Sequence, residues 1–158
     1  MRTTLPRISL SAVLALLVAT LFAGCLNKAE VRGITVQLVD VSGARTASGA
    51  ELTLRLHYLN ENLVGIAADG ARHRVTIGGV TLGRVENKQP IGLPQMGSDT
   101  QEVKVQIDSA TADRLRALQA SGVANYEMES TILISAGETD MQSRGTSSGT
   151  VSLAQLQL

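Results

Sequence analysis

The chain has 158 residues, and its 14 basic side chains are balanced by 14 acidic ones. Aromatic residues make up only 2% of the sequence, and tryptophan is absent. Proteins that bind single-stranded nucleic acid combine stacking rings with a positive groove, so this composition argues against a nucleic-acid partner. It also requires a core built from aliphatic side chains.

The N-terminus has the three parts of a secretory signal peptide. Arg2 and Arg7 give a basic start, and the residues from Ile8 to Gly24 carry no charge. This run of 17 residues is shorter than the roughly 20 that a membrane-spanning helix needs. It ends at Cys25, the only cysteine, which therefore has no disulfide partner within the chain. These features predict an exported protein.

The segment Leu21-Phe22-Ala23-Gly24-Cys25 resembles the lipobox of bacterial lipoproteins, with Phe22 where that family usually has leucine. The resemblance implies that residues 1–24 are removed as a lipoprotein signal peptide. It also implies that Cys25 carries the lipid that attaches the protein to a membrane. The alternatives are an ordinary signal peptide with a chance cysteine and an uncleaved membrane anchor.

Residues 25–32 would then form a lipidated tether, and residues 33–158 a single domain large enough to fold without disulfides. Leu26 follows the cysteine, in place of the aspartate that retains many lipoproteins at the inner membrane. The resemblance therefore implies the periplasmic face of the outer membrane. Loss of Arg2 and Arg7 leaves 12 basic against 14 acidic residues. This balance gives no basic excess for anionic lipid or nucleic acid.

The domain begins with two segments in which apolar and polar residues alternate, which is the period of a half-buried strand. The first covers residues 34–38, and its phase slips at Val39, which indicates either a bulge near Leu38–Val39 or a strand buried on both faces. The second covers residues 52–58 and ends at the polar turn formers of residues 60–62. Its predicted core residues are Leu54 and Leu56.

A hairpin is predicted next, because Gly78-Gly79 separates alternating runs at residues 75–77 and 80–82. Residues 87–100 are predicted to form a loop that contains two prolines. Residues 103–107 alternate again and are predicted to form a strand.

A single helix follows, because Ala112, Leu115 and Leu118 fall on one helical face. Asp108 or Ser109 can cap its start, and Gly122 can end it. The chain then has a predicted strand at residues 126–134, a polar loop at residues 137–149 and a last strand from residue 151.

About seven short strands with turn signals between them predict an antiparallel β-sandwich. The predicted fold class is all-β with one helix. A lone helix cannot build repeating strand–helix–strand units, so a parallel sheet is not expected.

Three segments carry a family resemblance: residues 52–62 (LTLRLHYLNEN), 75–84 (VTIGGVTLGR) and 92–107 (GLPQMGSDTQEVKVQI). In this order they resemble the type 2 late-embryogenesis-abundant (LEA type 2) domain, also called the water-stress and hypersensitive-response (WHy) domain. Glu61 stands where the family commonly has the proline of an Asn-Pro-Asn sequence. The resemblance implies an immunoglobulin- or fibronectin III-like sandwich, a role in desiccation or other stress, and no established enzymatic activity.

The two histidines are the first candidates for catalysis or metal binding. His57 falls on the polar phase of its strand, and His73 lies between Arg72 and Arg74, whose charges oppose cation binding. Both histidines are therefore predicted to lie on the surface. With Cys25 lipidated, no thiol remains to act as a nucleophile or metal ligand.

The remaining candidate groups lack the setting that catalysis or metal binding requires. Ser98-Asp99 and Ser147-Ser148 are predicted loop residues without a nucleophile elbow. Glu127 and Glu129 are predicted to be exposed charges on an outer sheet face. Glu138 and Asp140 match no EF-hand spacing. No catalytic, cofactor-binding or metal-binding residue is predicted.

These observations favour a non-enzymatic, lipid-anchored protein of the cell envelope that binds or shields other molecules. Its partners would be the membrane, through the lipid on Cys25, and an envelope protein or client of unknown identity. A partner could add a strand to a sheet edge. Two alternatives are a small-ligand carrier with a cavity between the sheets and an envelope hydrolase whose site is assembled from distant loops.

Overall fold

The computed structural model describes residues 29–136 and 139–158. The predicted signal peptide (residues 1–24) and the lipidation site Cys25 lie outside the described residues. Among the residues described, no helix combines the length and the apolar character needed to cross a bilayer.

The described residues form eleven strands and one helix. They are β1 (Ala29–Glu30), β2 (Ile34–Thr46), β3 (Gly49–Asn60), β4 (Ile66–Ala68), β5 (Gly70–Ile77), β6 (Val80–Asn87), β7 (Ile91–Leu93), β8 (Ser98–Asp108), α1 (Ser109–Gln119), β9 (Val123–Ala136), β10 (Thr139–Ser152) and β11 (Gln155–Gln157).

Two sheets pack face to face. Sheet I has the strand order β1-β10-β9-β5-β6, sheet II has the order β11-β2-β3-β8, and β4 and β7 form a separate pair. All pairings are antiparallel except β1 with β10 and β11 with β2, which extend over two and three residues. The prediction of an all-β sandwich with one helix is confirmed. Seven strands are long, and the other four have two or three residues each.

The sandwich has two different ends. Helix α1, the Gly78-Gly79 turn and the start of β9 at Val123 lie at one end, which we call the helix end. The opposite end, the loop end, has the β3–β4 connection, the β6–β8 segment, the last residue of β9 (Ala136) and the first residue of β10 (Thr139). Strands β1 and β10 both run from the loop end towards the helix end, because their pairing is parallel.

Strand β3 supplies the centre of the core. Its even-numbered apolar side chains, from Leu52 to Tyr58, are fully buried, as the alternation predicts. The predicted bulge in β2 is also confirmed, because the pairing of β2 with β3 shifts between Leu38 and Asp40. Without a bulge, Val41 would point to the opposite face of the strand from Val36 and Leu38. The bulge allows all three side chains to face the core.

The hairpin and the helix also form as predicted. Gly78 and Gly79 have φ values of 55° and 76°, which other residues rarely adopt. The carboxylate of Asp108 accepts a hydrogen bond from the Thr111 backbone N–H at 2.7 Å and caps α1. Ala112 and Leu115 are buried.

The predicted polar loop at residues 137–149 is wrong. Strand β10 begins at Thr139 and pairs with β9 along all of its 14 residues. Its inward positions hold small residues such as Ser143, so it lacks the apolar alternation that marks a strand. The ring of Tyr126 packs over Gly149 on the neighbouring strand. Backbone pairing, rather than side-chain burial, therefore defines this strand.

Two further segments contain more structure than predicted. The loop at residues 87–100 includes β7, in which Ile91 and Leu93 are buried. The tether at residues 25–32 includes β1, which is hydrogen-bonded into sheet I. Both short strands close the loop end of the sandwich.

Truncation of Leu54 or Leu56 to alanine should lower the free energy of unfolding by about 2–5 kcal/mol, because each leaves a cavity in a close-packed core. Thr53→Ala is the matched control on the opposite face of β3 and should cost much less. Urea unfolding curves measure all three. A larger loss for Thr53→Ala than for either leucine variant would contradict the register.

Candidate functional site

The loop end is organised around Asn60, the last residue of β3, whose side chain is fully buried. Its Nδ2 donates hydrogen bonds to the carbonyl oxygens of Val64 at 2.8 Å and Pro94 at 2.9 Å. Its Oδ1 accepts the backbone N–H of Asn62 at 3.0 Å. One amide thus connects the β3–β4 loop with the β7–β8 loop and satisfies backbone groups that would otherwise be unpaired.

Asn62 connects the same loops to the point where the chain crosses from β1 to β2. Its Nδ2 donates to the backbone oxygens of Arg32 at 2.9 Å and Gly33 at 3.2 Å. The Glu61 backbone N–H also donates to Gly33, at 2.8 Å. The β3–β4 loop is therefore fixed against the N-terminal crossing.

Three apolar side chains project from these two fixed loops. Leu63, Val64 and Met96 are 81%, 64% and 64% exposed, and we call them the apolar tip. The Met96 backbone N–H donates to the Asn62 oxygen at 3.0 Å. Met96 has a φ of 49°, the only positive value among the described non-glycine residues. Met96 thus combines an exposed apolar side chain with a backbone conformation that residues other than glycine rarely adopt. Together with the exposed Leu63 and Val64, it indicates a functional surface rather than a packing role.

A second polar cluster crosses the interior between the sheets. The Tyr58 hydroxyl of sheet II lies 3.1 Å from His73 Nε2 of sheet I, and His73 Nδ1 lies 2.9 Å from Ser130 Oγ. All three side chains are buried. Burial lowers the pKa of His73 to about 4 and raises the pKa of Tyr58 to about 12, so both groups are neutral near pH 7.

The cluster continues from Tyr58 through three further polar side chains. Asn87 Nδ2 donates to the Tyr58 hydroxyl at 3.3 Å and to Gln101 Oε1 at 2.6 Å. The Tyr58 hydroxyl thus accepts from Asn87, and the tautomer of His73 decides which atom donates in its hydrogen bonds with Tyr58 and Ser130. Gln101 donates to Asp99 at 2.9 Å at the outer limit of the cluster. The hydrogen bond between Tyr58 and His73 joins the two sheets.

The prediction that His73 lies on the surface is wrong. Strand β5 alternates, so Arg72 and Arg74 face solvent while His73 faces the core with Val75. His57 does lie on the outer face of sheet II, where its Nδ1 is 3.0 Å from Thr100 Oγ1. The two histidines are therefore on different sides of β3 and do not converge.

The buried His73–Ser130 pair does not have the arrangement of a hydrolase. Among the described residues, the two hydrogen-bond partners of the His73 ring are Tyr58 and Ser130, and neither is a carboxylate. The described carboxylates whose pKa is lowered, Glu51 and Asp108, are hydrogen-bonded to Lys104 and Thr111, respectively. They are not near either histidine.

The predicted serine candidates are also separated. Ser98 begins β8, and Asp99 accepts hydrogen bonds from the Thr100 backbone N–H and the Gln101 side chain. Ser147 and Ser148 lie within β10 rather than in a loop.

Acidic side chains do not form a metal site in the part of the chain that the structure describes. Glu127 and Glu129 are exposed on the outer face of β9, as predicted. Glu138 lies outside the described residues. Within residues 29–136 and 139–158, no group of three or more His, Cys, Asp or Glu residues could hold a metal ion.

No family model matches the chain, and no curated protein matches it. Among solved structures, it resembles the solution structure of AT1g01470 from Arabidopsis thaliana, with a TM-score of 0.58 and 14% identity, covering 85% of this chain and 91% of that one. This similarity shows a common fold.

Two other solved structures superpose less well. A protein from Archaeoglobus fulgidus has a TM-score of 0.42 and 12% identity, covering 77% of this chain and 95% of that one. A protein described as a candidate late embryogenesis abundant (LEA) protein, At2g46140.1, has a TM-score of 0.38 and 16% identity, covering 90% of this chain and 84% of that one. These superpositions are too weak to support an argument about this chain.

His73 should make stability depend on pH. Its folded-state pKa of about 4 lies below the unfolded value of 6.5, so the unfolded chain binds the extra proton between these values and stability falls as the pH falls. We expect a loss of about 2 kcal/mol from this group between pH 7 and pH 5. His73→Gln, which can still donate and accept, should remove this loss.

Urea unfolding at the two pH values measures the effect. His57→Gln is the control for loss of a histidine and should keep the wild-type difference between pH 7 and pH 5. If His73→Gln kept the full difference as well, titration of His73 would not be its source.

Proposed function

We propose that the protein is a non-enzymatic, lipid-anchored protein of the cell envelope with an LEA type 2 domain, related to desiccation or osmotic stress. The observation that carries the proposal is the run from Ile8 to Gly24 ending at Cys25. The chain enters sheet I at Ala29, only four residues later. Four residues span at most about 14 Å, so an anchor on Cys25 would hold the domain close to the membrane.

Binding or shielding of other molecules suits the described surface better than catalysis does. The Tyr58–His73–Ser130 cluster is hydrogen-bonded, whereas Ser147 Oγ is buried without a hydrogen-bond partner among the described residues. The exposed groups include the apolar tip and the charged sheet faces. The sandwich fold, shared with the Arabidopsis protein, supports the LEA type 2 resemblance of residues 52–107 without assigning a function.

The carrier alternative has little support from the described interior. A small pocket between the sheets, lined by residues including Ile34, Ser130 and Ser143, has a volume of about 40 Å³. That is room for about one water molecule, whereas ligand pockets usually have volumes of about 300–1,000 Å³.

Cys25→Ser tests the anchor. The variant should appear in the soluble fraction or accumulate with its signal peptide uncleaved, because the lipid would be missing. Cell fractionation and radioactive palmitate labelling measure this, and wild-type protein should be found with outer-membrane markers. Normal labelling of Cys25→Ser, or wild-type protein found only with inner-membrane markers, would contradict the assignment.

Deletion of the gene should lower survival of desiccation or osmotic stress, and wild-type protein should restore it. His57→Gln should restore survival equally well, since a non-enzymatic protein does not need this exposed histidine. Equal survival of the deletion strain under both stresses would exclude the stress role.

A further inference from the structure

We propose that the loop end docks end-on onto the lipid bilayer, with Leu63, Val64 and Met96 inserted at the membrane surface. The proposal rests on the proposed membrane anchor near residue 25 and adds a second, apolar contact with the same membrane. We assign the bilayer as the binding partner of the apolar tip because the chain enters the domain at the end that carries the tip.

The direction of β1 establishes this geometry. Ala29 pairs with Met141 and Glu30 with Gln142, near the start of β10 at the loop end. Because β1 runs towards the helix end, its first residue is the one nearer the loop end. A chain anchored at Cys25 therefore reaches sheet I from the side of the loop end, and the bilayer faces that end.

The apolar tip lies next to the same entry point. Asn62, one residue before Leu63, donates to the backbone oxygens of Arg32 and Gly33, which lie between β1 and β2. Met96 is joined to Asn62 by a backbone hydrogen bond of 3.0 Å. These hydrogen bonds keep the tether and the tip next to each other. A membrane attached to the tether would therefore also contact the tip.

Apolar insertion fits this end better than attraction by charge. Arg32 and Lys88 are exposed at the loop end, but Glu61 and Asp69 are exposed there too. Transfer of an apolar side chain out of water favours membrane binding by roughly tenfold for each side chain that is fully buried. The Asn60 hydrogen bonds hold both loops in place, so insertion requires little further ordering.

The absence of tryptophan from the chain provides a direct test. Leu63→Trp places a single fluorescent reporter in the tip. Val123→Trp is the matched control, because Val123 is a 58% exposed apolar residue at the helix end. The full chain is purified from membranes and reconstituted into vesicles of phosphatidylethanolamine and phosphatidylglycerol, with or without brominated acyl chains.

We expect the Leu63→Trp emission to move to shorter wavelength and to be quenched by the brominated lipids. The Val123→Trp emission should show neither change. Adding Val64→Ser and Met96→Ser to Leu63→Trp should remove most of the quenching. High salt should leave the quenching unchanged, because apolar contacts are not screened. Equal urea midpoints would show that the variants keep the fold.

Several outcomes would overturn the proposal. Emission of Leu63→Trp that stays water-like and unquenched in anchored protein would show that the tip does not enter lipid. A shift in cell-envelope membranes but not in pure lipid vesicles would assign the tip to a protein partner. A shift in concentrated protein without vesicles would assign it to a second copy of the chain.

Failure of the lipid anchor itself would be recognised separately. Mass spectrometry of the purified chain shows whether Cys25 carries lipid, independently of the fluorescence. If Cys25 is unmodified, the proposed function fails, and the protein is coupled through this single thiol to maleimide-bearing lipid. The fluorescence of the Leu63→Trp reporter then still tests insertion of the tip.

Discussion

The alternation of strand β3 is the constraint on which the rest of the structure depends. Its inward face carries leucines at the helix end, then Tyr58, then Asn60 at the loop end. The leucines fill the core, Tyr58 is hydrogen-bonded to His73 across the interior, and Asn60 fixes the two loops that carry the apolar tip. A shift of β3 by one residue in its pairing would turn all of these side chains to solvent. The core, the contact between the sheets and the loop end therefore all depend on the same register of β3.

Sequence patterns predicted the structural elements that are determined by residues close to one another in the sequence. The alternation of residues 52–58, the Gly78-Gly79 turn and the Asp108 cap each depend on neighbours within a few residues, and each forms as predicted. Strand β10 was missed because its small polar side chains follow no apolar period and its pairing with β9 specifies it. The anchor at Cys25 and its membrane stay predictions.

The wrong prediction that His73 lies on the surface has a physical explanation. Arg72 and Arg74 suggested a solvated surface, but His73 shares the phase of Val75 and Ile77, which are buried. Asn60 likewise shares the phase of Leu56 and Tyr58. A polar residue in the apolar phase of a strand predicts a buried hydrogen-bonded group, because an unpaired one would be too costly. No sequence pattern predicted the apolar tip, because loop residues do not follow a hydrophobic period.

Glu61 gives the departure from the LEA type 2 pattern a structural meaning. Where that family commonly has proline, this chain has a backbone N–H that donates to the Gly33 oxygen at 2.8 Å. Proline has no N–H and could not make this bond. The bond joins the loop that carries Leu63 and Val64 to the residues that follow β1. The hydrogen bond therefore connects the N-terminal segment to the tip, which is the connection that the proposed end-on docking requires.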